Sequence, residues 1–136
     1  MKNYLATPLA LLVGSAALLA RAEPAPGYFD SAALVAQVRI AEIHRERNEG
    51  LSQPGITAVQ GYIYAAETRK VWKGSAGETV AFRITLSDCH RKLEAGGEYL
   101  IFATHDGLGR LEVKSCEAVV PEAQWTPVLA SFTPRD

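Results

Sequence analysis

Residues 71–116, VWKGSAGETVAFRITLSDCHRKLEAGGEYLIFATHDGLGRLEVKSC, contain the patterns that decide the fold of this chain. Between residues 78 and 86, apolar and polar side chains alternate, which is typical of an antiparallel strand with one buried face. Residues 99–103 are apolar on both faces and therefore predict a strand in the middle of a sheet. The pair Gly96-Gly97 supplies a turn immediately before that strand.

Further strands are predicted on both sides of these two. Residues 105–109 combine an aspartate with two glycines and predict a hairpin connection to a last strand at residues 111–114. Residues 59–72 are rich in β-formers, and their alternation slips near Ala65-Ala66, which indicates a bulge or bend. Residues 34–43 contain good helix formers but alternate with a period of two, so we predict a strand there, with a helix as the alternative.

The remaining segments are predicted to be a loop and a short helix. Residues 44–50 are charged and unpatterned, and turn residues follow at 52–55, so both predict one exposed, mobile loop. Pro121 suits the first turn of a helix, which Pro127 limits to one or two turns. Five strands, short turns and a small C-terminal helix predict an all-β fold built on a small closed or partly closed barrel.

The first 22 residues resemble a secretory signal peptide. A short charged start is followed by an apolar run at residues 5–19 and by the small-x-small site Ala20-Arg21-Ala22. Cleavage is expected between Ala22 and Glu23. A membrane anchor is the alternative, but the run is short and interrupted compared with a span of about 20 residues.

Removal of this segment leaves one domain. We predict a flexible, proline-rich lead at residues 23–30 and a single folded domain at residues 31–133. The product is expected to be periplasmic or secreted, with no membrane contact after cleavage. No cysteine lies at the cleavage site, so lipid attachment there is not expected.

The charge of the chain excludes some partners. The chain has 14 basic and 15 acidic residues, and two of the basic residues, Lys2 and Arg21, leave with the signal peptide. Opposite charges are interspersed, with no basic stripe for phosphates. We therefore expect neither nucleic acid nor an anionic membrane as a partner, and we expect a monomer.

The two cysteines, Cys89 and Cys116, both lie in the exported part of the chain. In an oxidising compartment such a pair most often forms a disulfide. The alternative is two buried free thiols. Because free thiols rarely persist outside the cytosol, pairing is the stronger expectation.

Several of these features together resemble the netrin-like domain, the OB-type barrel shared with tissue inhibitors of metalloproteinases, and especially its bacterial single-domain members. The matching pieces occur in the same order and include Val71-Trp72-Lys73-Gly74, Cys89, Gly96-Gly97 with the strand at 99–103, Ser115-Cys116 and Glu122-Ala123. They cover about half of the exported chain. The resemblance implies a five-stranded, OB-fold-like barrel with a Cys89–Cys116 disulfide.

The inhibitory activity of that family does not transfer with the fold. In the inhibitor branch, a cysteine at the mature N-terminus places its amine and carbonyl on the zinc of the protease. Here the expected N-terminal residue is Glu23, and the first cysteine is Cys89. The resemblance therefore implies a fold and a disulfide, and it leaves inhibition by a non-chelating mode as an alternative.

The histidines offer a second alternative. His90 and His105, with Asp88 and Asp106, lie near the two ends of the predicted strand at 99–103, and a metal site formed by them at one end of a barrel is the alternative hypothesis. A metal shell normally needs three or four ligands in fixed geometry. Because no two histidines have ligand spacing, surface histidines are the preferred interpretation, and no metal or cofactor is expected.

No arrangement typical of an enzyme is visible in the sequence. The serines have no neighbouring base or nucleophile elbow, and no helix follows the glycines at 74–77 as a phosphate loop requires. Four aromatic residues could form either a binding platform or part of the core; they are Tyr62, Tyr64, Trp72 and Trp125.

We therefore expect an exported noncatalytic module that binds a protein or an envelope component. Residues 44–54 and 105–109 are the candidate contact segments. The alternative is a periplasmic metal-handling protein that uses His90 and His105.

Overall fold

The computed structural model describes residues 27–132. The predicted signal peptide and its cleavage site, Ala22–Glu23, lie outside the described residues. The main elements, in chain order, are α1 Tyr28–Ser31, β1 Leu34–Arg47, β2 Val59–Lys73, β3 Thr79–Thr85, β4 Glu98–His105, β5 Leu111–Glu112, β6 Val119–Pro121 and α2 Trp125–Ala130. Short 3-10 turns at Glu49–Leu51, Cys116–Ala118 and Glu122–Gln124 join them.

Five strands close into a barrel. The hydrogen-bonded order is β1-β2-β3-β5-β4, and an antiparallel pairing between β1 and β4 completes the ring. The β3–β5 contact, Arg83 opposite Glu112, is parallel, and the other pairings are antiparallel. β6 pairs with β4 at residues 99–101. This arrangement confirms the predicted all-β barrel with a short C-terminal helix.

β1 is a strand over its whole length, which decides between the two structures considered for residues 34–43. Its first part pairs with β4 as well as β2, and the second part pairs with β2 alone. The prediction that residues 44–50 form a loop was wrong for residues 44–47. These charged residues continue β1. Each of them is paired with a residue of β2, from His44 opposite Ile63 to Arg47 opposite Val59.

The predicted irregularity near Ala65-Ala66 is a β-bulge, but its extra residue lies in the partner strand. Ile40 is opposite Ala66 and Glu42 is opposite Ala65, so Ala41 is the unpaired residue. A bulge bends its strand and increases the local twist. β1 can therefore leave the barrel wall at this point while it stays paired with β2.

The core consists of the inward-facing residues of all these strands. In β3, Phe82 and Ile84 are buried while Thr79 and Ala81 are exposed, which confirms the predicted alternation. In β4 the residues from Leu100 to Ala103 are all buried, as a central strand requires. Tyr64 is also fully buried, and its hydroxyl accepts a hydrogen bond of 3.0 Å from the backbone N–H of Leu93.

Aromatic side chains from both ends of the described chain pack beside Trp72. The ring centroids of Phe29 and Phe132 are 4.7 Å apart, and those of Trp72 and Phe132 are 5.4 Å apart. Residues 28–31, most of which belong to the predicted flexible lead, form the helical turn α1. The Tyr28 hydroxyl lies 2.9 Å from the Ser115 hydroxyl, so this part of the lead is fixed to the barrel.

The motif at 71–74 has a structural reason. The Lys73 ammonium donates hydrogen bonds to the backbone oxygens of Phe29 and Asp30, at 2.8 and 2.7 Å. Gly74 has a φ of 81°, a conformation that favours glycine, and lies against the backbone of Ala33. Lys73 therefore binds α1 to the end of β2, and Gly74 allows the backbone of Ala33 to lie close to it.

The C-terminal helix begins later than predicted. Residues 122–124 form a 3-10 turn, and α2 follows at Trp125–Ala130. Pro127 therefore lies in the first turn of α2, where its missing N–H has no helical partner to lose. Within residues 27–132, no helix is long and apolar enough to cross a membrane.

Candidate functional site

The most distinctive surface is the hairpin formed by the second part of β1, which we call the arm. It consists of residues 40–47 of β1, the connection 48–58, and residues 59–65 of β2. The pairing of β1 with β4 ends at Arg39 opposite Glu98, and the last backbone contacts on that edge join Ile40 to Gly96 and Gly97. Among the described residues, no strand covers the edge of β1 at residues 41–47.

Side chains of the arm alternate between two faces. Ile43 lies opposite Tyr64 and Arg45 opposite Tyr62, and directly paired residues point to the same side of a sheet. Because Tyr64 is in the core, this side is the inner face, and it carries Ile43, Arg45 and Arg47. The outer face carries Glu42, His44 and Glu46.

The acidic groups of the outer face already have partners. Glu46 Oε1 accepts hydrogen bonds from Arg83 Nε and Nη2, at 3.1 and 2.9 Å. Glu42 Oε1 lies 3.1 Å from His44 Nε2. The charge of Glu46 is therefore compensated by Arg83 of β3, and Glu42 has a hydrogen-bond partner within the arm.

The inner face carries positive charge. Arg45 forms no ion pair with any residue in the range 27–132, and Arg47 has only a long contact of 3.7 Å with the exposed Glu49. Beside them, the Lys92 ammonium lies 5.3 Å from the centre of the Tyr62 ring, the residue opposite Arg45. The arm has an open groove of about 410 Å³, lined by Ile43, His44, Arg45, Arg47 and Thr57.

The connection at the end of the arm exposes apolar surface. Leu51 and Ile56 are 68% and 61% exposed. The connection itself is ordered by hydrogen bonds: Gln53 and Ile56 exchange two backbone bonds of 2.8 Å, and the Ser52 hydroxyl donates to Asn48 O. The connection therefore presents two exposed apolar side chains on a hydrogen-bonded backbone, and its residue Thr57 lines the groove.

The second candidate segment, the hairpin at 105–109, is occupied by its own hydrogen bonds. The Asp106 carboxylate accepts hydrogen bonds from the backbone N–H groups of Leu108 and Arg110 and from Arg110 Nε. It also lies 3.9 Å from Arg83 Nη1. Burial raises the pKa of Asp106, but the hydrogen bonds and the charge of Arg110 outweigh it, so the net pKa is lowered.

The predicted disulfide is confirmed. Cys89 and Cys116 are bonded, with their Cα atoms 4.9 Å apart. Cys89 lies in the segment between β3 and β4, and Cys116 begins the turn that leads into β6. The bond therefore ties a long connection to the end of the barrel, and Cys89 is part of the buried core.

The two histidines of the metal hypothesis are not assembled into a site. His90 is exposed on the β3–β4 connection, and His105 ends β4, where its Nδ1 lies 3.1 Å from Gly109 O. Nowhere in the described part of the chain do three or more His, Cys, Asp or Glu residues form a group that could hold a metal ion.

Tyr64, Trp72 and Trp125 pack within the fold, whereas Tyr62 is half-buried on the inner face of the arm. Tyr64 is buried, and burial raises the pKa of its hydroxyl. Trp72 Nε1 donates to Gln37 Oε1 at 2.9 Å, and Trp125 Nε1 donates to Val120 O at 2.8 Å. Both tryptophans are half-buried, and indole N–H groups with partners inside the fold are typical of packing positions.

No protein-family model matches the chain, and a search of curated proteins finds no significant match.

Proposed function

We propose that this chain is an exported, noncatalytic binding module that engages a protein or an envelope component through its arm. The observation that carries the proposal is the open edge of β1 at residues 41–47, next to a groove and to the exposed Leu51 and Ile56. Sheet edges, grooves and fixed apolar side chains can hold a ligand without chemistry.

We also propose that the domain is netrin-like and similar to tissue inhibitors of metalloproteinases. Support comes from the closed five-stranded barrel and from the Cys89–Cys116 bond, at the positions that the resemblance implies. The structural role of Lys73 and Gly74 supports it further. The chelating mode of inhibition is not part of the proposal, because no cysteine precedes Cys89.

Export is supported by the disulfide, since such bonds persist in oxidising compartments. The test is the intact mass of protein recovered from outside the cytoplasm. We expect the mass of residues 23–136 with the disulfide formed. Protein that retains residues 1–22, or that is found only in the cytosol, would contradict export.

Site-specific crosslinking tests the use of the arm. The photoreactive residue p-benzoylphenylalanine replaces Leu51 or Ile56 in the exported protein, and a third variant carries it at Leu108. Leu108 is the matched control because it is 77% exposed but lies on the β4–β5 turn. After irradiation of intact cells, we expect discrete crosslinked species from the two arm positions and none from Leu108.

Two results would overturn the proposal for the arm. One is crosslinking from Leu108 alone, which would move the contact to the other hairpin. The other is the absence of crosslinks from both arm positions in cells that contain folded, exported protein. Stoichiometric zinc binding lost on replacement of both His90 and His105 would instead support metal handling.

A further inference from the structure

The arm has two independent properties that together indicate the chemistry of its partner. One is a strip of sheet edge without a neighbouring strand among the described residues. The other is a face with two arginines, of which Arg45 has no ion pair within residues 27–132 and Arg47 has only a 3.7 Å contact with Glu49. The following inference rests on the proposed function of the arm and specifies what binds there.

The open edge of β1 at residues 41–47 is on the same side of β1 as β4, which pairs with residues 34–39. β4 runs antiparallel to β1 from Glu98, opposite Arg39, to Ala103, opposite Leu34. Beyond Arg39 the chain turns away at Gly96-Gly97, and residues 41–47 of β1 have no strand on that side within the described chain. A strand placed there would extend the line of β4, with its C-terminal end directed toward Gly97.

The charges next to this edge indicate which side chains a bound strand should carry. Arg45 and Arg47 are two residues apart on the inner face, Lys92 lies nearby over Tyr62, and Glu46 on the outer face is held by Arg83. An added strand with carboxylates on the inner side would meet two arginines. Charge complementarity of this kind gives specificity and register.

We propose that residues 41–47 bind an extended acidic segment of a partner protein as an added antiparallel β-strand. Because alternate residues of a strand share a face, the register defines a pattern. Residues opposite Arg47, Arg45 and Ile43 occupy positions one, three and five of the partner segment. The pattern is therefore acidic-x-acidic-x-apolar, read from the N-terminus.

Other occupants fit these features less well. A second copy of this chain would present the same two arginines at its own edge. A polyanion such as polyphosphate would satisfy the arginines but would leave the backbone groups of β1 and the side chain of Ile43 without a partner. An added strand would contact the backbone groups of β1, the two arginines and Ile43. Its main-chain hydrogen bonds would supply affinity, and its alternate side chains would supply specificity.

The test uses the processed protein and a fluorescein-labelled peptide with a seven-residue core. The core has aspartates at positions one and three, isoleucine at position five and threonine elsewhere. We expect saturable binding by fluorescence anisotropy. In amide NMR spectra, we expect shifts concentrated at residues 41–47, with slower exchange of the backbone N–H groups on that edge.

Charge reversal tests the role of the arginines. The double variant Arg45→Glu/Arg47→Glu is expected to bind the peptide about tenfold or more weakly. It is expected to bind a peptide with lysines in place of both aspartates better than the unaltered protein does. The matched control is Arg69→Glu/Lys70→Glu, which changes the net charge equally at two exposed residues of β2 outside the arm. Its affinity should be unchanged.

The role of the backbone is tested on the peptide, which leaves the protein intact. Two peptides carry N-methyl groups at alternate residues, one at the odd positions and the other at the even positions. Both keep the charges, and each lacks a different set of backbone N–H groups. The peptide whose methylated nitrogens face β1 should not bind. A peptide with the two aspartates adjacent rather than alternate should bind more weakly.

Four results would overturn the inference: no saturable binding, equal binding by both N-methylated peptides, inhibition by polyphosphate equal to that by the peptide, or self-association of the protein through residues 41–47. Any of these, combined with crosslinks from Leu51 and Ile56, would leave the arm as a contact site for a different ligand. Absence of those crosslinks would instead overturn the proposed function itself.

Discussion

Glu46 on β1 and Arg83 on β3 are joined across the intervening strand β2. Both Nε and Nη2 of Arg83 donate to the same Glu46 oxygen, at 3.1 and 2.9 Å. The residue of β2 opposite Glu46 is Gly61, which has no side chain to separate them. This contact fixes the second part of β1 to the barrel wall, where β4 no longer supports it.

The Glu46–Arg83 pair should contribute measurably to stability. The side chains are only 19% and 15% exposed, so removal of Arg83 leaves Glu46 and Asp106 partly buried without their cation. In a double-mutant cycle with Glu46→Gln and Arg83→Met, we expect a coupling free energy of about 1–2 kcal/mol from denaturant unfolding.

The matched control is Arg39 and Glu67, also an arginine on one strand and a glutamate on a neighbouring strand, 3.8 Å apart. Their side chains are 44% and 48% exposed. The cycle with Arg39→Met and Glu67→Gln should give a coupling below about 0.5 kcal/mol. Equal coupling in the two cycles would contradict the assignment of a structural role to Glu46.

Gly61 should not tolerate a side chain. A Cβ atom at this position would lie 2.7 Å from Ile84 O and 2.9 Å from Thr85 Cα, both backbone atoms of the adjacent strand. We expect Gly61→Ala to lower the free energy of unfolding by about 1–3 kcal/mol. Gly107→Ala is the control, since no atom lies within 4 Å of its Cβ position. Equal melting temperatures for the two variants would refute this close approach.

Much of the barrel could be predicted because its strands have a buried face. In β3, the alternation of Phe82 and Ile84 with exposed residues is a local pattern, and burial of one face produces it. β4 is apolar on both faces because both faces are buried, and aromatic side chains from the two ends of the described chain, Tyr28 and Phe132, pack against Phe102. Such patterns depend on residues close together in sequence, so one sequence is enough to find them.

The arm could not be predicted in the same way. Residues 44–47, His-Arg-Glu-Arg, have no apolar member, so they show no apolar/polar alternation and resemble a solvated loop. What keeps them extended is pairing with β2 and the contact of Glu46 with Arg83, which is 37 residues distant. Contacts over such a separation leave no local pattern. The open edge, the central feature of the candidate site, also depends on where β4 ends.

The Asp106 carboxylate should make the stability of the fold depend on acid pH. Its pKa in the folded protein is below the ordinary value of 3.8, so folding favours the ionised form. This contribution is fully present above pH 3.8 and is lost as the pH falls through the folded pKa. Denaturation midpoints of the unaltered protein and of Asp106→Asn should therefore differ at pH 6 and converge as the pH falls below 3.8 through the folded pKa of Asp106.

A control separates this effect from general acid denaturation. Asp88 is exposed, and its carboxylate forms no ion pair with a residue of the described chain. At pH 6, Asp88→Asn should be as stable as the unaltered protein, because it removes an exposed carboxylate. If Asp106→Asn also parallels the unaltered protein over the whole range, the hydrogen bonds from Arg110 and Leu108 do not stabilise the charged carboxylate as the structure indicates.

The Cys89–Cys116 disulfide should contribute a large share of the stability of so small a barrel. It closes a loop with a sequence separation of 27 residues, for which restriction of the unfolded chain gives about 3.5 kcal/mol. The double variant Cys89→Ala/Cys116→Ala removes the bond without leaving a free thiol or a buried hydroxyl in the core. We expect its free energy of unfolding to fall by up to this amount, with unchanged strand content by circular dichroism.

Unaltered protein that has been reduced and alkylated is the control for the loss of the bond itself. It should be destabilised at least as strongly, because alkylation also adds bulk at the buried Cys89. Equal stability of the double variant and the oxidised protein would contradict a contribution of the disulfide to the free energy of unfolding.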